Sequence, residues 1–438
     1  MNDLVNAKQQ DSMAAWYAVF VLLLAYVLSF VDRIILSLLV TPIKADLGTT
    51  DAQMGLLMGF AFAIFYTVAG IPIAKYSDVK SRRMIIAIGI FLWSIMTAVC
   101  GLARSFFQLF LARVGVGVGE AALTPAAYSM ISDYFSEDKL GRAMAVYKSG
   151  AMFGGGLAFI IGGAVVGYVV NSDSIVLPLL GEMKPWQMAF IIVGLPGVLI
   201  GLLMLTVKEP RRTGIADTLD QKVSISDAIK YMQKRWRIYL FIFLGFAFMG
   251  APISSALTWI PVYLQRIHEM SIPESGRTLG IIIFFLSTSG VIVSGWLIDT
   301  FKKKGFQDGY FKVALMICIV TIPISYFVMN DESLEKTLWW LHPFVFVASM
   351  PLAISATVLQ IVTPNQLRAQ VSAVYMLFLN LITALIVTTG IGFITDFWFE
   401  NEMALGQSIT AVNLLSMFMA FFCLYIAMSN FNKEFTKS

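Results

Sequence analysis

Four ionisable residues, Asp32, Arg33, Arg113 and Glu120, lie deep inside long apolar stretches of this chain, whereas nearly all the rest of its 31 Lys and Arg and 27 Asp and Glu fall in the polar segments between them. A charged side chain at bilayer depth costs roughly 2.5–3.5 kcal/mol on insertion scales, so it persists where it is paired or faces water. Two acids and two arginines can make two pairs. Arg113 and Glu120, seven residues apart, share one helix face to within about 20° and stand about 10.5 Å apart along it, as two ends of one polar stripe. Asp32 and Arg33 are adjacent and point about 100° apart, so at most one of them faces any single partner squarely. Arginine keeps its charge. The chemistry open to this set is therefore exchange of a guanidinium partner as Asp32 or Glu120 gains and loses a proton. The bland alternative is a static ion-pair network that fixes helix packing, for which buried pairs are weak evidence.

The elements that must hold these residues follow from composition and length. The chain is 58% hydrophobic and only 13% charged, with a mean hydropathy of +0.78, against about 25% charged in soluble domains. Apolar runs of spanning length begin near Trp16, Met54, Met84, Phe106, Ala143 and Trp186, pause, and resume near Ile238, Thr278, Val313, Leu338, Val371 and Ile409. The expected fold is all-α, with 12 transmembrane helices in two six-helix bundles: residues 1–207, a polar linker over 208–237 with a short helix starting at Ser226, and residues 238–438. The first run is too long for a signal peptide and lacks a small-residue cleavage site, so nothing is expected to be removed. Lys44, Arg104, Lys184, Arg266, Arg277 and Lys336 are the loop cations left on one side when the even-numbered gaps and both termini are placed in the cytoplasm. The bias predicts that orientation. Lys148, one or two turns into the fifth run, is expected to snorkel toward the cytoplasm.

The two halves repeat. AKYSDVKSRR, with Asp78, Arg82 and Arg83, is answered 221 residues later by GWLIDTFKKK, with Asp299, Lys303 and Lys304 in the same relation; LGRAMAVY at Leu140 is answered by LRAQVSAVY at Leu367. Parallel repeats of this size describe a transporter with its site near the bilayer midplane. The mates of Asp32 and Arg33 in the second half are Ile253 and Ser254, so the charges belong to the first half alone. That asymmetry favours protons in the first bundle and bulky apolar contacts in the second. The glycines of the fifth run, Gly150, Gly154 to Gly156, Gly162, Gly163 and Gly167, have the spacing that lets helices approach closely.

On these residues the chain resembles the major facilitator superfamily over essentially its whole length. The resemblance implies that the loop acid Asp78 with Arg82 and Arg83, its repeat Asp299 with Lys303 and Lys304, and the basic residues Arg142 and Arg368 form a conformational gate at the cytoplasmic face. Ser81 stands where Gly is usual and Val79 where a basic residue is usual, which weakens the match. The antiporter motif is only partly met, because its Pro is absent from the fifth run. Within the superfamily, FVDR around Asp32 and ARVGVGVGEAALTPAAYSMISDYF from Ala112 resemble the spinster family of lysolipid and sphingolipid transporters, bacterial branch. They also resemble the anion:cation symporters of organic acids. Those usually carry Pro two residues after the Glu, where this chain has Ala122. The spinster resemblance implies a bacterial inner membrane, a monomer, an amphiphilic lipid substrate and proton coupling through Asp32, Glu120, Arg33 and Arg113. The symporter resemblance implies a small organic anion instead.

Other classes fail on inventory. Only His268 and His342 exist, and neither has a nucleophile or metal-ligand partner at a telling spacing. Cys100, Cys318 and Cys423 sit in apolar runs and read as small core residues. No Gly-x-x-x-x-Gly-Lys-Ser/Thr motif implies ATP, the basic excess of +4 lies in loops rather than in a nucleic-acid surface, and no enzyme, cofactor or metal is expected. For the substrate, Ser254, Ser255, Thr258, Asn380 and Thr383 are the cavity candidates of the second half, as polar groups at depth need a wet or protein-facing side. Such hydroxyls also commonly bond their own helix.

Overall fold

A computed structural model describes residues 12–77, 79–170, 175–177, 181–212, 225–331 and 333–435. Among them are 12 helices long and apolar enough to cross a membrane: span 1, Met13–Leu38; span 2, Asp51–Ser77; span 3, Arg82–Cys100; span 4, Phe106–Tyr134; span 5, Asp138–Val169; span 6, Pro185–Thr206; span 7, Trp236–Thr258; span 8, Ile272–Lys303; span 9, Gly309–Met329; span 10, Leu334–Val362; span 11, Gln370–Phe397; and span 12, Glu402–Lys433. Residues in polar turns start several of them. Ser12, Ser81 and Ser105 each accept a backbone N–H of the first turn, and Thr50 and Gln53 close a reciprocal capping box. The linker helix runs Ile225–Lys234. A two-stranded antiparallel hairpin, Ile175–Leu177 with Gly181–Met183, lies between spans 5 and 6 and was not anticipated from the sequence.

Large apolar side chains such as Phe107, Leu199, Trp296 and Phe422 are exposed along the spans, whereas Trp93, Trp186 and Trp259 are fully buried. That is the pattern of helices packed on one another and bathed in hydrocarbon on the outside.

The chain forms two compact units: residues 1–49, 60–219 and 270–281 make one, and residues 50–59, 220–269 and 282–438 the other. In unit 1, span 1 packs on span 5, span 3 on span 6, and span 2 on span 4; in unit 2, span 7 packs on span 11, span 9 on span 12, and span 8 on span 10. Adding six to each span number converts one set into the other, so the 221-residue repeat is a repeat of packing. The simple division at the linker is corrected in one respect. The first turns of spans 2 and 8 each belong to the unit that does not hold the rest of their helix. Their packing explains this. At Gly59, where span 2 breaks between helices Asp51–Met58 and Phe60–Ser77, a Cβ would lie 2.6 Å from the Ala384 carbonyl oxygen of span 11. Gly276 in span 8 approaches span 5 so closely that a Cβ would lie 2.7 Å from the Phe159 carbonyl oxygen. Span 8 changes unit beside a π-helical segment, Ile283–Ser287.

The glycines of span 5 do what their spacing predicts. Gly150, Gly154 and Gly162 lie against Leu23, Phe30 and Leu38 of span 1, whose side chains a Cβ would push on at 2.8–3.0 Å. A second π-helical segment, Thr383–Thr389 in span 11, has two of its threonines bonded to carbonyls five residues back: Thr388 Oγ1 donates to Thr383 O (3.2 Å) and Thr389 Oγ1 to Ala384 O (2.8 Å). π segments are frequent at functional sites.

Candidate functional site

The four charges, three of them buried, come together inside unit 1, in an arrangement the sequence left open. Arg33 takes Glu120: its Nε donates to Glu120 Oε2 at 2.7 Å and its Nη2 stands 2.5 Å from the same oxygen. The Glu120 side chain is fully buried, while 28% of the Arg33 side chain is exposed. Arg113 does not form the second ion pair. Its Nη1 donates to the backbone carbonyl of Asp32 at 2.9 Å, and neither carboxylate oxygen of Asp32 has a hydrogen-bond partner among the described residues. The helix geometry accounts for this. With Arg33 turned to span 4, Asp32 points about 100° away, toward Thr97 and Cys100 of span 3. One salt bridge, one arginine held by a main-chain oxygen and one carboxylate in reserve are the resulting set. Arg33 also lies under aromatic faces, with its Cζ 4.5 Å from the Phe62 ring centre, 5.3 Å from Tyr66 and 5.4 Å from Phe30. A guanidinium so placed gains cation–π attraction while it holds its carboxylate.

The expected gate residues are distributed unevenly. Asp78 lies outside the described residues. Arg82, an expected gate residue, is buried. It reaches Asp133, its Nη1 donates to Ser129 Oγ (2.9 Å), its Nη2 to Pro210 O (3.0 Å), and its Nε to Glu209 Oε1 (3.1 Å). Glu209 further accepts from Ser81 Oγ at 2.7 Å and from the backbone N–H groups of Arg82 and Arg83 at 3.1 and 2.8 Å. An acid thus caps the positive end of span 3. Burial pushes the Glu209 carboxyl up, but the hydrogen bonds from Ser81, Arg83 and Arg82 outweigh it and hold the group below its ordinary value. Sequence reasoning missed Glu209 and Asp133, since nothing local ties them to Arg82. Arg212 Nη2 binds the carbonyls of Ser77 and Lys80 at 2.7 Å each, fastening the start of the linker to the same loop. Arg142, Asp299, Lys303 and Lys304 are exposed. Arg368, half-buried, donates from Nε to Thr363 O at 3.2 Å.

The cavity candidates of the second half differ in how their polar groups are engaged. Ser255 is fully buried: its Oγ donates to Pro252 O (2.9 Å) and accepts from Nδ2 of the buried Asn413 in span 12 (3.1 Å). Thr258 Oγ1 is spent on Ser254 O (2.8 Å) and Thr383 Oγ1 on Leu379 O (2.7 Å), both within their own helices. Ser254 and Asn380 are half-buried.

A further ionic site escaped the sequence reading. In unit 2, Asp51, at the first helical position of span 2, is fully buried and bound by Arg266, while Asp396 Oδ2 of span 11 accepts the backbone N–H of Ala52 at 2.6 Å. The capping box Thr50–Gln53 marked the helix start, but not what its acid would meet. Among the described residues no group of three or more His, Cys, Asp or Glu side chains is placed to hold a metal ion.

The model of the Major Facilitator Superfamily matches residues 22–388. A relative described as an MFS-type efflux pump from Mycolicibacterium smegmatis (strain ATCC 700084 / mc(2)155) is 28% identical over 441 residues, covering 99% of this chain and 97% of its own length. The probable L-galactonate transporter of Escherichia coli (strain K12) is 26% identical over 299 residues, covering 66% of this chain and 62% of the relative. Among solved structures, a bacterial homologue of the human lysosomal transporter spinster, inward-facing and unoccupied, superposes with a TM-score of 0.79 at 26% identity, over 96% of this chain and 97% of that one.

Proposed function

Since the chain belongs to the Major Facilitator Superfamily and is a secondary transporter of spinster type, we propose that it works by alternating access, is driven by protons, and moves a lysophospholipid or sphingolipid-like amphiphile. The observation that carries proton coupling is the division of labour among the four charges: Glu120 holds Arg33, whereas the buried carboxylate of Asp32 makes no hydrogen bond among the described residues and lies beside an arginine committed to its backbone. A proton on Glu120 releases Arg33; loss of a proton from Asp32 creates a second anion that competes for Arg113. Each exchange moves a guanidinium between spans 1 and 4, a local change of partners able to bias a two-state helix packing.

The amphiphile reading is supported by Arg33 itself. It is the partly exposed cation of the set, framed by Phe30, Phe62 and Tyr66, which offers one polar anchor beside apolar faces. A single-chain lipid needs one such anchor, and its chain gains roughly 0.8 kcal/mol per buried methylene. The proposed setting is a bacterial inner membrane with both termini cytoplasmic and the protein acting as a monomer. A second reading, symport of a small organic acid, is favoured by the similarity to the probable L-galactonate transporter. Ligand-induced thermal stabilisation of the purified protein separates the two, because stabilisation rises with free ligand over Kd. Lysophospholipids or sphingosine-like lipids should stabilise it above detergent background. Stabilisation by galactonate alone would transfer the assignment to organic acids.

A further inference from the structure

Lys148 stands ten residues past the start of span 5, about 15 Å along the helix. It is exposed, and no carboxylate among the described residues forms an ion pair with it. What it has instead is an aromatic ring: its Nζ lies 5.5 Å from the centre of Tyr128. From Tyr128 a continuous aromatic wall runs through unit 1. Tyr128 meets Tyr147 edge-on at 5.7 Å, Tyr147 stacks on Tyr26 at 4.9 Å, Tyr26 meets Phe30 at 5.5 Å, and Phe30 faces the Arg33 guanidinium at 5.4 Å. Tyr26 and Arg33, seven residues apart, share a helix face. The wall thus carries a cation at each end. Tyr26, Tyr128 and Phe30 are half-buried, so their surfaces are reachable, while Tyr147 is fully buried between them.

An exposed ammonium set against an aromatic face keeps most of its capacity to bind an anion, since a cation–π contact satisfies it only in part. A partner that arrives with the substrate would supply the rest. We propose that Lys148 is a binding station for an anionic head group, phosphate or carboxylate, and that the tyrosine wall forms the path between it and Arg33. The proposal rests on the chain's being a transporter and takes either a lysolipid or a sugar acid as the source of the anion.

The test uses the purified full-length protein with three probes in separate arms: lysophosphatidylglycerol, D-galactonate, and an uncharged monoacylglycerol. Lys148→Gln should raise the Kd of whichever anionic probe the parent protein binds by about tenfold, the loss of one charge-assisted contact. Monoacylglycerol binding should be unchanged, Lys148→Arg should restore anion binding to within about twofold, and the pH dependence of the conformational equilibrium should stay that of the parent. Unchanged anion affinity in Lys148→Gln, or an equal loss for monoacylglycerol, overturns the station. Binding of galactonate but not the lysolipid, weakened by Lys148→Gln, keeps the station and removes the lipid reading. A parent protein that binds neither anion overturns both.

Discussion

Arg266 grips Asp51 with both ends of its guanidinium, Nη1 to Oδ2 at 2.6 Å and Nη2 to Oδ1 at 2.9 Å, across 215 residues of sequence. The acid is fully buried and the arginine side chain only 9% exposed. The bidentate geometry is the strong form of a charge-assisted bond. Because this contact ties the first turn of span 2 to unit 2, it exists only while that turn is packed there.

Asp51→Asn or Arg266→Ala should therefore act in two ways. Removing one partner of a buried pair destabilises by about 3–5 kcal/mol, read as a lower Tm in detergent. The same variants should shift the population away from the state in which residues 50–59 pack with unit 2, read by thiol labelling of a cysteine placed at Ala52. Labelling as slow as in the parent protein would exclude a latch role.

The proton reading makes its own demand on Asp32 and Glu120. Asp32→Asn or Glu120→Gln should flatten the pH dependence of the conformational equilibrium, reported by a pair of spin labels. Glu120→Gln should in addition leave Arg33 without its anion and raise its demand for a substrate head group. If both variants keep the parent pH profile, these acids do not carry the coupling.

Glu209 gives a stability signature with a defined sign. Its carboxyl is held below the ordinary value, so it contributes stability above the unfolded-state pKa of about 4.3, and that contribution fades as pH falls through the lower folded value. Glu209→Gln should lower Tm at neutral pH and narrow the gap to the parent as the solution is made acid. A gap that stays constant down to pH 3 would mean the hydrogen bonds around Arg82 act independently of that charge.

The Ser255–Asn413 contact separates packing from substrate binding in unit 2. Asn413→Ala removes the donor that Ser255 Oγ accepts from, while the hydroxyl keeps its own bond to Pro252 O, and should cost about 0.5–1.5 kcal/mol, whereas the double variant with Ser255→Ala should cost less than the two single changes added. Unfolding by heat in the absence of substrate checks this. A loss of ligand affinity without loss of stability would return Ser255 to the cavity.

Much of this architecture was legible in the sequence because it depends on length and period. Twelve apolar runs had to be spans, and the 221-residue echo at Asp78 and Asp299 had to be a structural repeat. The stripe from Arg113 to Glu120 was fixed by 3.6 residues per turn. What could not be read was choice of partner. Adjacency told that Asp32 and Arg33 diverge, but not that Arg33 would win Glu120 while Arg113 settled on a carbonyl. Arg82 was marked as a gate residue, but its partners were not legible, because Glu209 and Asp133 converge on it only after spans 3, 4 and 6 have packed. Ser255 looked available until Asn413 of span 12 was placed against it. Partner identity is a tertiary fact, and short-range spacing carries none of it.

The split of spans 2 and 8 between the two units constrains how the chain is made. Residues 50–59 leave the ribosome long before residue 266, and at roughly 5–20 residues per second the carboxylate of Asp51 waits about 10–40 s for its arginine. Unit 1 waits similarly for residues 270–281, which close against span 5. Neither half can finish folding in the order in which it is synthesised. The first six spans must enter the membrane as an incomplete assembly, with the carboxylate of Asp51 still unmatched, and its completion is deferred to the arrival of spans 7 and 8. A truncated chain ending at the linker should accordingly be recognised by membrane quality control as unfinished, even though it contains six whole helices.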